Sequence, residues 1–500
     1  MGELAQPFPP GTYTVVVVGS GPGGLQTSYF LRRLGVDHAV ISADDAPGGM
    51  FRRFPIFERL LSWTKPSAPA PDEDERAYEL HDQNSLLAQE RALQGLVRTF
   101  MDTSSDLPAR AAVEAALRTF AERAPVRVRY GCRWEETRRE GERFVLVTSD
   151  GEYRCGAVVF AIGVTEPWRP ALRGVEHATH YVDVRREPGA YRGGRVCIVG
   201  KRNSGFEIGR ALLGEVRELS LVSPRPVELQ FARAPVRSQY LQPLDEDARG
   251  ASATRVYDAG VDGIERGPGG GLRVRIVGTA RPEALAIEAD DVIAATGFAT
   301  PLRDLPALGV STVTDGRLPA LTPFWESVSV PGVFFAGSAM QAARGIGKQG
   351  VSSNSSMIVG FRYNARVLAR HLAERFGTAR LDRRPIAREA LVPHLLREVT
   401  AAPELRMQKG YLARAASVDR AGGIHDDGVV PLEHFLDERS EGVAVTLELD
   451  ASSSIQPVVY VRRDGRVRDT ALEPNLSRNY EGTRYREELE LLLRPLLRRG

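Results

Sequence analysis

Cysteine is scarce in this chain. Only Cys132, Cys155 and Cys197 occur in 500 residues, and no two form a C-x-x-C. That spacing excludes a disulfide framework, a zinc knuckle and a dithiol redox centre. Cys197 stands inside an apolar run, where a cysteine packs as a small hydrophobe. Lysine is scarce too: Lys65, Lys201, Lys348 and Lys409 are the only four among 66 basic residues. With so much Ala and Gly, the arginine bias speaks of a GC-rich bacterial genome rather than of chemistry. Neither sign of charge dominates, the formal net charge being +2. No basic block is present, so a nucleic-acid partner is not indicated. No apolar run reaches membrane-spanning length. The opening "MGELAQPFPPGTYT" lacks the charged and apolar regions of a signal peptide, and Gln6 stands where myristoylation of Gly2 wants Ser or Thr. The expectation is a cytoplasmic protein without membrane attachment, its oligomeric state open and a homodimer among the options.

Five hundred residues exceed one hydrophobic core and point to two to four domains. "TVVVVGSGPGGLQTSYFLRRLG" reads as a buried parallel strand, a glycine turn and a helix stopped by Gly35. "DHAVIS" is the next strand. "SDLPARAAVEAALRTFAERA" reads as an amphipathic helix with Asp106 as N-cap and Pro108 in its first turn. "VRVRY", "RFVLVTS" and "EYRCGAVVFAIG" read as strands, the last two a hairpin across "SDGEY". "VCIVGKRNSGFEIGRALLG" repeats the strand–turn–helix pattern, and "GPGGG" at 267–271 is a turn between later strands. "NSSMIVGFRYNARVLARHLAERFG" is a long helix, with "VSSNSS" capping it. Beyond Gly377 the composition changes to an α+β tail.

Gly19-Ser20-Gly21-Pro22-Gly23-Gly24 is a complete G-x-G-x-x-G between strand and helix. Gly19 makes the tight turn, Gly21 admits a pyrophosphate to the backbone, and Gly24 lets helix and strand pack closely. The acidic residue expected at the end of the next strand, where it would bond a ribose, is replaced by Ser42, with Asp44 and Asp45 just beyond. The second turn, Gly200-Lys201-Arg202-Asn203-Ser204-Gly205, lacks the middle glycine, which suits a cofactor that comes and goes. Ser223 and Arg225 stand where a 2′-phosphate would be met, which favours NADPH over NADH, although a mere surface role for Arg225 weighs equally. Two turns imply two dinucleotides, a resident FAD and a visiting NADPH.

Two further strings, "DDVIAATGFAT" and "PGVFFAGSAMQAARGIGKQG", complete an ordered pattern with the "AIG" at 161–163. Over residues 13–375 the chain resembles the two-dinucleotide-binding-domain flavoproteins. It is similar to their flavin-containing monooxygenase-like branch and to the FAD-dependent oxidoreductase domain-containing protein 2 group. "GGMFRRFPIFERLLSWTK", "HDQNSLL" and "GFRYNARVLARHL" carry the latter likeness. The resemblance implies an α/β fold with an inserted NADPH domain: FAD-binding residues 1–190 and 290–377, NADPH-binding residues 191–289, and a C-terminal α+β domain at 380–500. It implies cofactor contacts at Gly19, Gly21, Pro22, Gly24, Ser42, Gly49, Met50, Phe51, Ala161, Gly163, Thr296, Gly297, Gly337 and Ser338. Gly200, Arg202, Asn203, Ser204, Ser223 and Arg225 fall to the second dinucleotide. Ser338 replaces the Asp of the thioredoxin-reductase branch. Thr64 stands where monooxygenases of this type often hold an Asn near the flavin, and Asn84 is a substitute; Lys65 and Arg344 complete the groups assigned to the ring. His177 and His180, in "LRGVEHATHY", read as linker rather than as a metal pair. The activity implied is NADPH-consuming oxygenation, N- or C-hydroxylation, of a small molecule with O2 through a flavin C4a-(hydro)peroxide, in bacterial specialised metabolism. A flavin oxidase or dehydrogenase, a flavin-dependent halogenase and a flavin-bearing binding protein are the alternatives.

Overall fold

The computed structural model describes residues 6–67, 76–225, 253–267, 269–343, 345–346, 353–379, 383–452 and 454–497. Arg344 and Lys348 lie outside them. The chain forms two compact units, one of residues 1–52, 63–164 and 300–500, the other of residues 53–62 and 165–299.

In the first unit the strand Gly11–Val18 runs parallel to His38–Ile41 on one side and to Gly151–Phe160 on the other. Val15, Val16 and Val17 are fully buried, as a strand covered on both faces requires. Val333–Phe335 pairs in parallel with Val158–Phe160, and Arg143–Thr148 and Trp134–Glu140 extend the sheet antiparallel. The helix Pro22–Arg33 ends in left-handed Gly35 (φ 71°); the Gly35 amide bonds the Arg32 carbonyl and the Val36 amide that of Leu31. That pair of bonds is a Schellman ending.

Three sequence expectations fail locally. Val126–Tyr130 is not a strand, because only Arg129 pairs, in a single bridge to Ile41. The helix near 110 starts at Arg110 after Ala109, so Asp106 caps nothing. Its carbonyl accepts the Thr64 amide instead, at 2.8 Å. The long helix Ile358–Arg375 has no side-chain cap at its N-cap, Met357. Local capping patterns lose here to longer-range hydrogen bonds that sequence spacing does not show.

The C-terminal part of this unit is α+β. Six antiparallel strands run in the order Arg384–Pro385, Ile424–Pro431, Leu412–Val418, Glu441–Leu449, Ile455–Arg463, Arg466–Ala471. The helix Arg388–Ala401 packs against the last helix, Thr483–Leu497, which buries Tyr485, Leu489, Leu493 and Leu496 on one face. This region is tied to the rest of the unit by polar bonds. Glu404, 3% exposed, takes Arg76 and Arg366. Trp325 Nε1 donates to Tyr411 Oη at 2.7 Å. Gln408 Nε2 donates to Ser355 Oγ and Asn364 Oδ1, at 3.0 and 2.8 Å.

In the second unit five parallel strands, Thr179–His180, Asp291–Ala294, Arg195–Val199, Glu218–Ser223 and Ala253–Arg266, form the body of a seven-stranded sheet. Leu272–Gly278 and Ala284–Ala289 add an antiparallel edge. The helix Asn203–Leu212 follows the second glycine turn. Phe54, Ile56, Phe57 and Leu61 pack into this unit's core beside Tyr181, Ile198 and Phe206.

Candidate functional site

Both glycine turns are built alike. In the first, Gly19 is at φ 114°, its amide bonds the Ile41 carbonyl at 2.8 Å, and the Ala161 amide bonds the Val18 carbonyl at 2.8 Å. In the second, Gly200 is at φ 128°, its amide bonds the Val222 carbonyl at 2.8 Å, and the Ala295 amide bonds the Val199 carbonyl at 2.9 Å. A Cβ on Gly19 would strike the Ala161 carbonyl, and one on Gly200 the Ala295 carbonyl. A Cβ on Gly24 or Gly205 would strike the carbonyl of Gly19 or Gly200. Only glycine fits such a turn, because the left-handed backbone and the close approach both exclude a side chain.

The first turn leaves a bare backbone cradle. Gly21 faces only the Cα of Gly49, 3.9 Å from where its Cβ would stand. No side chain caps the helix that follows, so its first N–H groups are left for a ligand. Pro22 occupies the first helical position, where a missing N–H costs nothing. Gly49, Met50 and Phe51 lie in the short turn Gly49–Arg52 beside it, Met50 and Phe51 half-buried. Gly337 (φ 73°) abuts Gly23, and Ser338 Oγ accepts the Val164 amide at 3.0 Å, next to Gly163 (φ 74°). This cradle fits a dinucleotide pyrophosphate with its flanking strand ends. Ser42 is 2% exposed, and its Oγ accepts from Ser20 Oγ at 2.8 Å and from the Asp44 amide at 3.2 Å. It therefore braces the turn itself.

Thr64 and Asn84 come together. Thr64 Oγ1 donates to Asp82 Oδ1 at 2.9 Å and accepts from Asn84 Nδ2 at 3.0 Å. Asp82 Oδ1 also accepts the amides of Asn84 and Ser85, at 2.9 and 3.0 Å. All four residues are buried, whereas Lys65 is exposed. Arg362, 0% exposed, holds this loop from the long helix: Nη1 donates to the Ser85 carbonyl at 2.8 Å, Nη2 to the Glu79 carbonyl at 3.0 Å. Tyr363 Oη donates to Glu79 Oε2 at 2.7 Å. Asp82 and Arg362 were not singled out from sequence, although both lie inside the strings that carried the resemblance. A buried arginine in an amphipathic helix has no periodic signature.

In the second unit the helix after the turn is also uncapped. Ser204 is half-buried, and Arg202 and Asn203 are exposed. Ser223 ends the strand Glu218–Ser223, and Arg225 is exposed two residues on. Lys201 reaches across that strand end to its neighbour, donating to the Tyr257 carbonyl at 2.8 Å and pairing with Asp258. Asp258 is the register partner of Ser223. Thr296 Oγ1 donates to the Trp168 carbonyl at 2.7 Å, and Gly297 is at φ 98° with open space beside it. His180 is buried and accepts the Val182 amide at Nδ1, and burial lowers its pKa. Among the described residues no group of three His, Cys, Asp or Glu could hold a metal. Glu207, 8% exposed, accepts Tyr181 Oη at 2.7 Å and the Phe57 amide at 3.4 Å. Burial pushes its carboxyl up to about 7. Glu207 carried no signal in the sequence beyond its place on the helix.

All three cysteines are free and buried, and burial raises the Cys155 and Cys197 thiols to about 12. Among the described residues, no helix is long and apolar enough to cross a membrane.

Two strand–glycine turn–helix units, each at the end of a strand flanked by parallel neighbours, define a flavin-dependent oxidoreductase with two dinucleotide sites. The chain belongs to the pyridine nucleotide-disulphide oxidoreductase family, whose match spans residues 16–337. It is 29% identical over 222 residues to FAD-dependent oxidoreductase domain-containing protein 2 of Danio rerio, covering 43% of this chain. The matched region is 31% of that protein, so the chain spans about a third of this curated relative. Among solved structures it is similar to a flavin monooxygenase from Stenotrophomonas maltophilia, with TM-score 0.53 and 22% identity, over 73% of this chain and 99% of that one. A bacillithiol disulfide reductase from Bacillus cereus matches with TM-score 0.53 and 22% identity, over 73% of this chain and all of that one. At these identities the structures share the fold.

Proposed function

We propose that this flavoprotein is an NADPH-consuming monooxygenase of a small organic molecule, with FAD in the first glycine turn and NADPH visiting the second. The observation that carries the reading is the pairing of two dinucleotide turns with cysteines that are single, buried and, at Cys155 and Cys197, far from thiolate character. A dithiol cannot take the electrons, so an external acceptor must. Bound flavin supplies hydride acceptance and oxygen activation. The chain's residues do the rest. Gly19, Gly21 and Gly24 give the pyrophosphate a bare backbone, and the uncapped helix faces it with N–H donors. Thr64 and Asn84, fixed by Asp82 and Arg362, present a buried polar pair in the position the resemblance assigns to the ring. Their burial keeps water out, which an oxygenating site needs. Met50, Phe51, Ala161, Gly163, Gly337 and Ser338 belong to the same reading. Arg202 and Arg225 stand for the 2′-phosphate, with Ser223 beside them.

The test is to reduce the yellow protein with NADPH under argon, mix it rapidly with oxygenated buffer and record spectra. A transient band distinct from both oxidised and reduced flavin supports oxygenation. Direct return to oxidised flavin, with H2O2 matching NADPH even in the presence of candidate substrates, overturns it in favour of an oxidase.

A further inference from the structure

A buried cation without a counter-charge is costly, and several arginines of the first unit avoid the arrangement by meeting carboxylates. In the first unit Arg76 and Arg366 share Glu404, Arg414 meets Asp426 and Glu398, and Arg462 meets Glu438. One cluster departs from that pattern. The helix Ala77–His81 packs against the helix Pro403–Met407, which brings His81 toward Arg406. The Lys65 amide bonds the His81 carbonyl at 2.9 Å. Arg406 Nη2 donates to the Thr400 carbonyl, and Lys409 Nζ donates to the Arg406 carbonyl. Arg406 Nε is buried and bonds nothing. Exposed Arg478 completes the group: two residues on, the Tyr480 amide donates to Thr400 Oγ1 at 3.0 Å, on the residue whose carbonyl takes Arg406.

These cations act on one another. Burial lowers the His81 pKa, and Lys65 and Arg406 lower it further. Burial, then Arg478 and Arg406, brings Lys409 down to about 8. Burial, then Arg478, lowers Arg406. Among the described residues none of the five forms an ion pair with a carboxylate. The contrast with Glu404, a few residues away and shared by two arginines, is sharp.

We propose that Lys65, His81, Arg406, Lys409 and Arg478 form a binding site for a carboxylate or phosphate group, and that the enzyme's substrate carries that group. The second half rests on the monooxygenase reading. Lys65 follows Thr64 in the chain, so the anion's site adjoins the buried Thr64–Asn84 pair. Arg406, Lys409 and Arg478 come from beyond residue 337, where the family match ends. The C-terminal region thus adds anion recognition to a shared scaffold. A bound anion would relieve the mutual repulsion, because charge-assisted bonds to arginine are strong.

With only four lysines, the chain suits a labelling test. Pyridoxal 5′-phosphate, an anionic aldehyde, condenses with a neutral amine; cyanoborohydride fixes the adduct and peptide mass spectrometry locates it. On the full-length flavoprotein, Lys409 or Lys65 should be labelled ahead of Lys201, whose Nζ is sealed against Asp258. Inorganic phosphate and succinate, in separate arms, should slow that labelling, and Arg478→Gln and Arg406→Gln should each weaken protection about tenfold. Stronger protection by phosphate assigns a phosphorylated ligand, and stronger protection by succinate a carboxylate. Labelling that is equal with and without either anion, or confined to other lysines, overturns the proposal. Bleaching by NADPH is recorded on the same sample. Protection without bleaching would keep the anion site and remove the nicotinamide reading, while bleaching without protection would do the reverse.

Discussion

Glu207→Gln is the perturbation whose effect follows most directly from the geometry. The Glu207 carboxyl is buried against Tyr181 Oη and the Phe57 amide. No charged group takes part in its shift: the causes are burial, which raises it, and three hydrogen bonds, which lower it less. Its pKa rises from 4.5 to about 7. Below pH 4.5 both folded and unfolded chains hold the proton. Between 4.5 and 7 the unfolded chain releases it while the folded one keeps it, so stability falls as pH rises. Above 7 the loss is complete. At about 1.4 kcal/mol per pH unit, the gap amounts to ~3 kcal/mol. Glutamine keeps an acceptor for Tyr181 and cannot ionise. The variant should therefore lack this loss. In a unit of about 150 residues, ~3 kcal/mol moves the thermal midpoint by about 6–12 °C. The assay is the midpoint of the second unit's transition for wild type and variant from pH 4 to 9. The wild type should lose that much more than the variant between pH 4 and 8. Parallel curves would refute the reasoning, since they would mean that Glu207 does not change ionisation in this window.

Other expectations follow from the same geometry. Gly19→Ala should yield protein without yellow colour, and Gly200→Ala protein that is yellow but not bleached by NADPH; strain of about 1–3 kcal/mol at a positive φ underlies both, and absorbance near the flavin bands reads them. Lys201→Met should unmask the Asp258 charge beside Ser223 and weaken binding of 2′,5′-ADP about tenfold by calorimetry, while adding Asp258→Asn should restore it. A double variant as weak as the single would mean that Lys201 meets the phosphate itself. Arg362→Met strips the buried Ser85 and Glu79 carbonyls of their donors and should cost about 2–6 kcal/mol, read as a lower midpoint in thermal melts with loss of flavin.

Much of the fold was legible because a few of its rules are local. A run such as "TVVVV" can only be a covered strand, and a glycine forced to φ 114° by a neighbouring carbonyl announces itself as G-x-G-x-x-G. The alternation of those strings fixed both dinucleotide units before any contact was known. Capping was less legible: Asp106 looked like an N-cap, yet its carbonyl serves Thr64, because hydrogen-bond competition is settled across the fold. Ser42 looked like a displaced ribose contact, yet it braces Ser20.

The sequence by itself determined the two glycine turns, the order of the strands that end in them and the absence of a dithiol. Each depends on backbone sterics or on residue identity alone, which need no partner to be read. Only the tertiary structure decided that Arg362 supports the Thr64–Asn84 loop, that residues 53–62 pack with the second unit, and that Arg406 lies near His81. Those pairings join residues tens to hundreds of positions apart. Periodicity reports which residues are buried, and only the closed chain reports what they are buried against.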